Sequence, residues 1–509
     1  MHCGKYDHRT LLIVVMIAGA QFALLMATHG TYGYFRDEFY YMTCADNLDW
    51  GYVDHPPFSI LLLAAVRAVF GSSIHVIRLL SSLSGAFLVI MTAYLARLLG
   101  GKRFAIILSA LISALSPTVL AFSGFYSMNA FDFLFWAGGY ITFVSIIKDP
   151  RPFNWSLLGI LMGLGLQNKL SMAVFGASMI LAIATTSHRK LIIEKNAFYA
   201  GLIALFLFLP HLIWQHANGW PTVEFIANAK MYKIAESSPG QFLVNQLLLA
   251  NPLVAPLLIL GLFQLLRNHR GRYSRPLGLI FAFAFAILIL QRSKAYYLAP
   301  AYTALFAGAG CAVEKWGRGN LKWLKPLVVI LVILSGCISI PMTVPVLSPE
   351  DLITFETRIG LRPPVEERSG RTELAQHFAD RFGWENMTAT CARVYAELPE
   401  NQRTACRIVT SNYGEAGAIS FFGKEYDLPP VISGHNNYYL WGYGDGEIET
   451  IVAVGFQIAD LAGLFESVEQ RATIRSPYAM PYETDIPVYV CRDPLISVTE
   501  LWYKLRIFI

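Results

Sequence analysis

Residues 11–58 read LLIVVMIAGAQFALLMATHGTYGYFRDEFYYMTCADNLDWGYVDHPPF, a long apolar run that passes directly into an acidic, aromatic loop. The apolar part, 11–28, has the length and composition needed to cross a bilayer. The loop carries the neighbouring acids Asp37 and Glu38, and about twenty residues later Asp54-His55-Pro56-Pro57. Carboxylates and an imidazole beside a membrane span indicate polar chemistry at the bilayer surface.

Composition extends the membrane interpretation to the rest of the chain. Of its 509 residues, 55% are hydrophobic and only 15% are charged, and the mean hydropathy is +0.46. The 25 tyrosines and 10 tryptophans are typical of rings that anchor at both membrane interfaces. The net charge of +5 comes mainly from short loops between apolar runs, so it indicates membrane topology and no nucleic-acid partner. The first apolar run lacks a small-residue cleavage site, and we expect it to be retained as a span.

The apolar runs predict eleven membrane spans, which cover 11–28, 76–98, 104–122, 130–147, 155–168, 170–186, 197–214, 243–266, 277–291, 296–313 and 326–345. The run 58–70 is too short to cross a hydrocarbon core of about 30 Å. We therefore expect an interfacial or half-inserted helix there. The glycine-rich stretch 159–165 indicates close helix packing and does not form a nucleotide-binding loop.

Charge gives these spans an orientation. The basic residues cluster in alternate loops, namely at Lys5, Arg9, Arg97, Lys102, Arg103, Lys148, Arg151, Arg189, Lys190, Lys195, Arg267, Arg270, Arg272, Arg275, Lys315, Arg318, Lys322 and Lys325. The opposite loops carry acids, namely Asp37, Glu38, Asp46, Asp49, Asp54, Glu224 and Glu236. The positive-inside rule makes the basic loops cytoplasmic. It predicts a cytoplasmic N-terminus, with the loop 29–75 and everything after the last span outside.

The composition changes after about residue 346. Charge rises, and the prolines 363–364 and 429–430 interrupt the chain. Short β-type runs at 407–411, 451–456 and 487–491 accompany helical runs at 373–381 and 458–466. We expect a membrane domain over 1–345 and an extracytoplasmic α+β domain over 346–509. The residues leave open whether Cys391, Cys406 or Cys491 forms a disulfide.

Three further polar clusters fall on the predicted outer face. Gln291-Arg292-Ser293-Lys294 precedes Tyr296-Tyr297, and its basic residues suit either interfacial snorkelling or a phosphate clamp. Trp214-Gln215-His216 favours a packed interfacial cap over a metal site. The third cluster is Tyr126-Ser127-Met128-Asn129, followed by Asp132. Asp132 lies inside an apolar run, and an ionisable side chain in a predicted span is a functional candidate. Together with the acids and the histidine of the first loop, these clusters predict one polar cavity above the membrane midplane. Gln167-Asn168-Lys169, between two short spans, are expected to line a cavity, because polar residues at that depth are otherwise costly.

The ordered set of motifs resembles the family 39-like bacterial members of the GT-C glycosyltransferases, a superfamily that includes protein O-mannosyltransferases and the lipid A aminoarabinose transferase. The resemblance rests on Arg36-Asp37-Glu38, Gly51-Tyr52-Val53-Asp54-His55-Pro56-Pro57, Phe125-Tyr126-Ser127-Met128-Asn129-Ala130, Trp214-Gln215-His216, Gly219-Trp220-Pro221-Thr222, Lys294-Ala295-Tyr296-Tyr297-Leu298-Ala299-Pro300-Ala301-Tyr302, Asn412-Tyr413-Gly414-Glu415-Ala416 and Ser433-Gly434-His435-Asn436-Asn437-Tyr438. It spans nearly the whole chain.

The resemblance implies a mainly α, polytopic GT-C fold with inverting transfer of a sugar from a polyprenyl-phosphate donor to an acceptor hydroxyl. It assigns the catalytic acids to Asp37, Glu38 and Asp54. It places the donor-phosphate contacts at His55, Arg292, Lys294 and Tyr297, with His55 standing where relatives have lysine. The expected substrate cavity comprises Tyr126, Asn129, Asp132, Lys169 and His216. No cofactor is certain, although Asp37 and Asp54 leave a divalent metal open.

Several alternatives stay open from the sequence. The acceptor is a glycolipid, a polysaccharide or a protein, and the sugar is not specified. A transporter or flippase of a lipid-linked sugar is the main rival, and it predicts two halves with inverted similarity. A non-catalytic membrane sensor is the second rival, and it would tolerate Asp37→Asn. In either case the bilayer of the inner membrane is the surrounding medium.

Overall fold

A computed structural model describes residues 7–235, 238–267, 273–361, 372–446 and 448–509. Lys5, Glu236, Arg270, Arg272 and the prolines 363–364, all used above, lie outside these residues. The chain divides into two compact units. The first comprises 1–31, 72–213 and 236–346, and the second comprises 32–71, 214–235 and 347–509. One junction falls next to the predicted division at 345–346, and the loop 32–71 and the segment 214–235 belong to the unit that contains the C-terminal region.

Helices form most of the described chain before residue 347. In chain order they are α1 (His8–Thr28), α2 (Arg36–Asp46), α3 (Phe58–Phe70), α4 (Ile74–Leu98), α5 (Arg103–Ala114), α6 (Pro117–Ser123), α7 (Met128–Lys148), α8 (Pro152–Asn168), α9 (Ser171–Ala184), α10 (Lys195–Ala217), α11 (Pro221–Asn228), α12 (Pro239–Leu249), α13 (Ala255–Arg267), α14 (Ser274–Leu290), α15 (Tyr302–Trp316) and α16 (Leu324–Thr343).

Five of the described helical segments are long and apolar enough to cross a membrane, namely α1, α4, α7, α10 and Gly319–Thr343, which contains α16. α5 and α6 make a sixth if they form one span bent by 56°. The bend falls where Pro117 starts α6, because proline has no N–H to continue the helical ladder. These helices confirm a multi-pass membrane protein, and the count of eleven spans stays a prediction.

Two further predicted spans, 243–266 and 296–313, are also not continuous helices, and their assignment as membrane spans stays a prediction. The first is divided between α12 and α13, with Asn251 at a φ of 64° just before Pro252. The Asn251 amide donates to Ser339 Oγ at 2.9 Å and to the Ser335 carbonyl oxygen at 3.3 Å. The second is divided because Ala295–Ala301 forms a 3₁₀ helix that contains Pro300. Both breaks contain a proline that the apolar pattern alone does not register.

Close approach between helices explains Gly159 and Gly163 of the first unit. A Cβ at Gly159 would lie 2.6 Å from the Ala200 carbonyl oxygen, and one at Gly163 would lie 2.7 Å from Leu207 Cβ. α8 therefore packs against α10 along a face without side chains, which confirms the packing expected for 159–165.

The second unit is completed by eight helices and five strands of the described chain after residue 347. The helices are α17 (Pro349–Arg358), α18 (Gln376–Ala379), α19 (Trp384–Ala396), α20 (Glu400–Thr404), α21 (Tyr413–Phe422), α22 (Asn437–Trp441), α23 (Ile458–Leu461) and α24 (Val498–Leu505). The strands are β1 (Cys406–Thr410), β2 (Val431–Ser433), β3 (Thr450–Val454), β4 (Phe465–Arg475) and β5 (Asp485–Pro494).

The strands form one mixed sheet in the order β2-β1-β3-β5-β4. β1 is parallel to β2 and β3, with Ile408 opposite Val431 and Val452, whereas β5 runs antiparallel to β3 and β4. All five residues of β3 are buried, as expected for a central strand. The sheet confirms an α+β region with strands at the three predicted runs, while β2 and β4 were not predicted.

The predicted helix 458–466 was wrong beyond Leu461. The backbone is already extended at Ala462, directly after Leu461, and Phe465 then starts β4. The predicted helix 373–381 is reduced to α18. The six cysteines of the described chain, including Cys391, Cys406 and Cys491, are all free, so the structure contains no disulfide among these three.

Candidate functional site

The start of α2 gives the two neighbouring acids different environments. Glu38 is fully buried, and its carboxylate accepts a hydrogen bond from the Phe35 N–H at 2.8 Å. This contact caps the first turn of the helix. The Asp37 side chain, one residue earlier, keeps 32% of its surface exposed. Asp37 is therefore the accessible carboxylate, and Glu38 supports the helix that carries it.

Asp37 is held by a tyrosine from far along the chain. Tyr413, the first residue of α21, donates its hydroxyl hydrogen to Asp37 Oδ1 at 2.8 Å. Arg36 Nε lies 3.7 Å from the same oxygen. The Arg36 guanidinium and the Lys233 ammonium lie 5.4 Å and 5.8 Å from the centroid of the Tyr413 ring. The Arg36 guanidinium and the Tyr413 hydroxyl thus flank this carboxylate, and Lys233 lies near the ring of Tyr413.

Arg36 also fixes the start of α2 inside the unit. Its guanidinium pairs with Asp380 at 3.6 Å and donates to the Tyr482 hydroxyl, and its backbone N–H donates to the Asp380 carbonyl oxygen at 2.9 Å. A Cβ at Gly414 would collide with the Arg36 side chain, so glycine is required there. The contacts restrict the rotation of Asp37 because they anchor the preceding residue.

Asp54 forms the second half of the acidic site. The Tyr40 hydroxyl donates to Asp54 Oδ1 at 2.9 Å, and 18% of the Asp54 side chain is exposed. Burial raises the pKa of Asp54, and the negative charge of Asp37 raises this pKa further, while His55 and the Tyr40 hydrogen bond lower it. The rings of Tyr40 and Tyr413 lie 4.9 Å apart. The structure therefore brings Asp37 and Asp54 into one tyrosine-lined site.

His55 is not exposed in this site. It is 1% exposed, and its ring packs against Tyr41 at 4.8 Å and Tyr52 at 4.9 Å. Nδ1 lies 3.1 Å from the Pro56 carbonyl oxygen and Nε2 lies 3.9 Å from Asp54 Oδ1. The imidazole therefore packs beside Asp54 at a distance too long for a hydrogen bond. Its contact with a phosphate stays a prediction.

The first unit contains a separate lysine–tyrosine cluster. Lys169, at the junction of α8 and α9, donates to Asn129 Oδ1 at 2.6 Å and lies 3.8 Å from Asp132 Oδ2. Ser171 donates to the other Asp132 oxygen at 2.6 Å. The Lys169 ammonium also lies 4.7 Å from the Tyr297 ring centroid. Four predicted residues, Asn129, Asp132, Lys169 and Tyr297, are therefore brought together.

The remaining predicted residues have different positions. Tyr126 is fully buried, with its ring 5.7 Å from that of Phe131. Arg292 is exposed at a φ of 52°, and Lys294 is partly buried at the start of the 3₁₀ helix. His216 is exposed and belongs to the second unit, where its ring lies 6.3 Å from Trp220.

The residues beside His216 secure the first loop. Trp214 Nε1 donates to Asp49 Oδ2 at 2.7 Å, and the Gln215 amide donates to Thr222 Oγ1 at 2.6 Å. Thr222 Oγ1 in turn donates to the Tyr52 carbonyl oxygen at 3.5 Å. This motif is the packed cap that the sequence favours.

Four residues of the acidic site were not selected from the sequence, namely Arg36, Tyr40, Tyr413 and Asn437. Asn437 Oδ1 accepts from the Val53 N–H at 2.6 Å, immediately before Asp54. Arg36, Tyr413 and Asn437 all lie in the motifs that carry the resemblance, which was the available signal.

The described residues contain no group of three or more histidines, cysteines and acids that could hold a metal ion. Asp37 and Asp54 supply two carboxylates, each of which accepts a tyrosine hydrogen bond. Mg²⁺ commonly binds one or two carboxylates and completes its shell with water and phosphate oxygens. The pair fits such an ion only with ligands from outside the chain, and metal dependence stays a prediction.

Comparisons with known proteins agree with this architecture. Residues 54–214 match the family model described as dolichyl-phosphate-mannose-protein mannosyltransferase. ArnT from Cupriavidus metallidurans in the apo state matches with a TM-score of 0.61 and 13% identity, over 93% of this chain and 97% of that chain. The same protein bound to undecaprenyl phosphate matches with a TM-score of 0.57, at the same identity and coverage. No curated protein sequence matches significantly. At this identity the solved structures establish a shared fold, and the family-model match over 54–214 agrees with the expected resemblance to GT-C glycosyltransferases.

Proposed function

We propose that this protein is a membrane glycosyltransferase that moves a sugar from a polyprenyl-phosphate donor to an acceptor hydroxyl, with Asp37 as the general base. The observation that carries the proposal is the partly exposed Asp37 carboxylate, which accepts the Tyr413 hydroxyl hydrogen at 2.8 Å and shares its site with Asp54. A carboxylate fixed by its neighbours but still accessible is suited to accept a proton from a substrate.

The proposed step is an inverting displacement. The acceptor hydroxyl gives its proton to Asp37 as its oxygen attacks the anomeric carbon. The bond between that carbon and the phosphate oxygen breaks, and its electron pair leaves with the polyprenyl phosphate. Arg36 and Tyr413 hold Asp37 in place, and Asp54 stabilises the positive charge that develops on the sugar.

The donor class is supported by two comparisons. The matching family model is named for a dolichyl-phosphate-mannose donor, and the Cupriavidus relative was solved with undecaprenyl phosphate. A phosphate leaving group needs cations or hydroxyl donors. We assign this role to Lys294, Arg292 and Tyr297, with the Lys169 ammonium, 4.7 Å from the ring centroid, positioning Tyr297.

The proposal includes a location and an orientation. The protein lies in the inner membrane with its N-terminus in the cytoplasm and the region after residue 346 outside, because the basic loops fall on one side of the predicted topology. A hydroxyl of a glycolipid, a polysaccharide or a protein is the acceptor, and the transferred group is a hexose or a pentose.

A donor panel tests this function. Membranes containing the wild-type protein are incubated with radiolabelled polyprenyl-phosphate sugars, and label in lipid, polysaccharide and protein fractions is counted. Asp37→Asn should lower transfer by about 10³-fold or more, because loss of a positioned base alone costs about 10²–10⁴-fold. Asp46→Asn is the matched control, since Asp46 lies on the same helix, has a 55% exposed side chain and pairs with Arg67.

The outcomes separate the proposal from its rivals. Transfer by the wild type and Asp46→Asn but not by Asp37→Asn supports it. Equal transfer by all three proteins would exclude the base role. Movement of intact donor across vesicle membranes without any transfer would favour a transporter.

A further inference from the structure

Residues 433–437 of the second unit form a turn near Asp37 and Asp54, which we call the 433–437 turn. A single intervening tyrosine connects the turn to each carboxylate, Tyr413 to Asp37 and Tyr40 to Asp54. The turn joins β2 to α22, and all five of its residues are buried. None of them belongs to the sites assigned above by the sequence.

His435 connects the turn to Asp37. Its ring meets the ring of Tyr413 edge to face, with centroids 4.9 Å apart. Tyr413 is the residue whose hydroxyl donates to Asp37 at 2.8 Å. A displacement of His435 would free one face of the Tyr413 ring and loosen its hold on the carboxylate.

Asn437 connects the same turn to Asp54. Its Oδ1 atom accepts from the Val53 N–H at 2.6 Å and lies 3.4 Å from the Tyr40 hydroxyl. Val53 directly precedes Asp54, and Tyr40 donates to the Asp54 carboxylate. One amide therefore fixes both the backbone and the hydrogen-bond donor of Asp54.

Residues 506–509, which we call the terminal strap, hold the 433–437 turn by hydrogen bonds. The Asn436 N–H donates to the Ile507 carbonyl oxygen and the Ile507 N–H donates to the Gly434 carbonyl oxygen, both at 2.9 Å. His435 Nε2 donates to the Ile509 carbonyl oxygen at 2.8 Å. Burial lowers the pKa of His435 to about 3, so the ring stays neutral and the contact persists at working pH.

The backbone of the turn requires this support. A Cβ at Gly434 would collide with the Leu505 carbonyl oxygen, so the end of α24, directly before the strap, approaches the turn as closely as a glycine permits. Asn436 has a φ of 49° although it is not glycine, and its side chain accepts from the Ile509 N–H at 3.1 Å. Such a backbone conformation persists only where the surroundings hold it.

The far side of the strap is fixed by α11. Asn228 donates to the Phe508 carbonyl oxygen at 2.9 Å, and Phe508 is buried. Arg506 pairs with both carboxylate oxygens of Glu224, at 2.8 Å and 2.6 Å. The strap is thus fixed between the turn and a helix of the same unit.

We propose that the 433–437 turn, clamped by the terminal strap, sets the positions of Asp37 and Asp54, with His435 and Asn437 as positioning residues. The inference rests on the proposed base role of Asp37. It assigns to the C-terminal region a part in catalysis that acts through Tyr413 and Val53 and touches no substrate.

The test compares two substitutions of His435 in the full-length protein purified in detergent. His435→Ala removes the donor to Ile509 and the contact with Tyr413, whereas His435→Gln keeps an N–H donor. His435→Ala should lower kcat by about 10- to 100-fold, the cost of a misplaced catalytic group, and leave the KM for the donor within about twofold. His435→Gln should recover most of kcat.

A second variant covers the case in which His435→Ala fails to fold. Asn437→Ala removes the acceptor for Val53 and should give the same kcat loss at unchanged KM. Tyr443→Phe is the matched control, since it removes a hydrogen bond from the same region, 3.3 Å to Thr499 of α24, without touching the turn. Melting temperatures identify the folded proteins.

The outcomes are distinct. A kcat loss in the folded alanine variants, with recovery in His435→Gln and wild-type rates in Tyr443→Phe, supports the inference. Wild-type kcat in folded His435→Ala and Asn437→Ala overturns it, as does an equal loss in Tyr443→Phe. If neither alanine variant folds, the turn has a purely structural role and the inference is overturned. Absence of transfer by the wild type itself would overturn the proposed function instead.

Discussion

Asp37 and Glu38 are adjacent in the sequence, and the helix start assigns them different roles. A pair of acids at the beginning of a helix is expected from the helix dipole alone. Only the capping contact from Glu38 to the Phe35 N–H distinguishes the structural carboxylate from the accessible one. The sequence thus located the acidic site, and the direction of each carboxylate depends on helix geometry.

The hydrogen bond from Tyr40 predicts a pH effect. Burial raises the pKa of Asp54 and this hydrogen bond opposes the rise. If Asp54 acts as an anion, transfer falls on the acid side as Asp54 is protonated, at a pH above the ordinary aspartate pKa of about 3.9. Tyr40→Phe should move the acid limb of kcat/KM to higher pH. Profiles of the wild type, Tyr40→Phe and Tyr443→Phe between pH 4 and 9 measure this, and coincident acid limbs would contradict it.

The ion pair between Lys169 and Asp132 predicts a stability effect. The Lys169 and Asp132 side chains are 10% and 1% exposed. Lys169→Met leaves a buried carboxylate without its cation and should lower the free energy of unfolding by about 3–5 kcal/mol.

The double variant Lys169→Met/Asp132→Asn should recover much of this loss, because it removes the uncompensated charge as well. Thermal unfolding in one detergent compares the three proteins. A double variant less stable than Lys169→Met would show that the pair is not the source of the effect.

At the scale of the element, the predicted spans succeeded where an apolar run contains no helix break. α1, α4, α7 and α10 each correspond to one predicted run. Hydropathy averages over a window, so it cannot detect a single position such as Asn251, at which a positive φ follows the end of a helix. For the same reason the sequence predicted one helix over 458–466, where the structure has a short helix, Ile458–Leu461, and the start of β4 at Phe465.

The break between α12 and α13 predicts the effect of one substitution. Asn251→Ala removes the hydrogen bonds to Ser335 and Ser339 of α16 and places alanine at a φ of 64°. We expect the free energy of unfolding to fall by about 2–3 kcal/mol. Asn251→Gly relieves the backbone strain and should lose less. Equal melting temperatures for the wild type and Asn251→Ala would contradict this role of the side chain.

At the scale of the whole molecule, composition predicted the membrane class, while long-range pairing determined the acidic site. Tyr413 lies 376 residues from Asp37, and Asn437 lies 384 residues from Val53. Periodicity and spacing report on neighbours along a helix or strand, and they carry no information about such pairs. Resemblance to a family could indicate these residues because it covers the whole chain.

The division into two compact units also depends on contacts between residues that are distant in sequence. The first loop was predicted as an appendage of the membrane domain, yet its contacts group it with the sheet that follows residue 347. Thr222, Tyr413 and Asn437 bond to the first loop across 170, 376 and 384 residues of sequence. The carboxylates therefore depend on the fold of the C-terminal region for their geometry.

Single-turnover transfer by the purified protein tests the base role of Asp37 most directly. Excess enzyme is mixed with a labelled polyprenyl-phosphate sugar and the acceptor found in the donor panel, and the rate of label transfer is followed for the wild type, Asp37→Asn and Asp46→Asn. The account predicts a rate about 10³-fold lower for Asp37→Asn at unchanged donor affinity, and a wild-type rate for Asp46→Asn. A folded Asp37→Asn protein that transfers the sugar at the wild-type rate would contradict it.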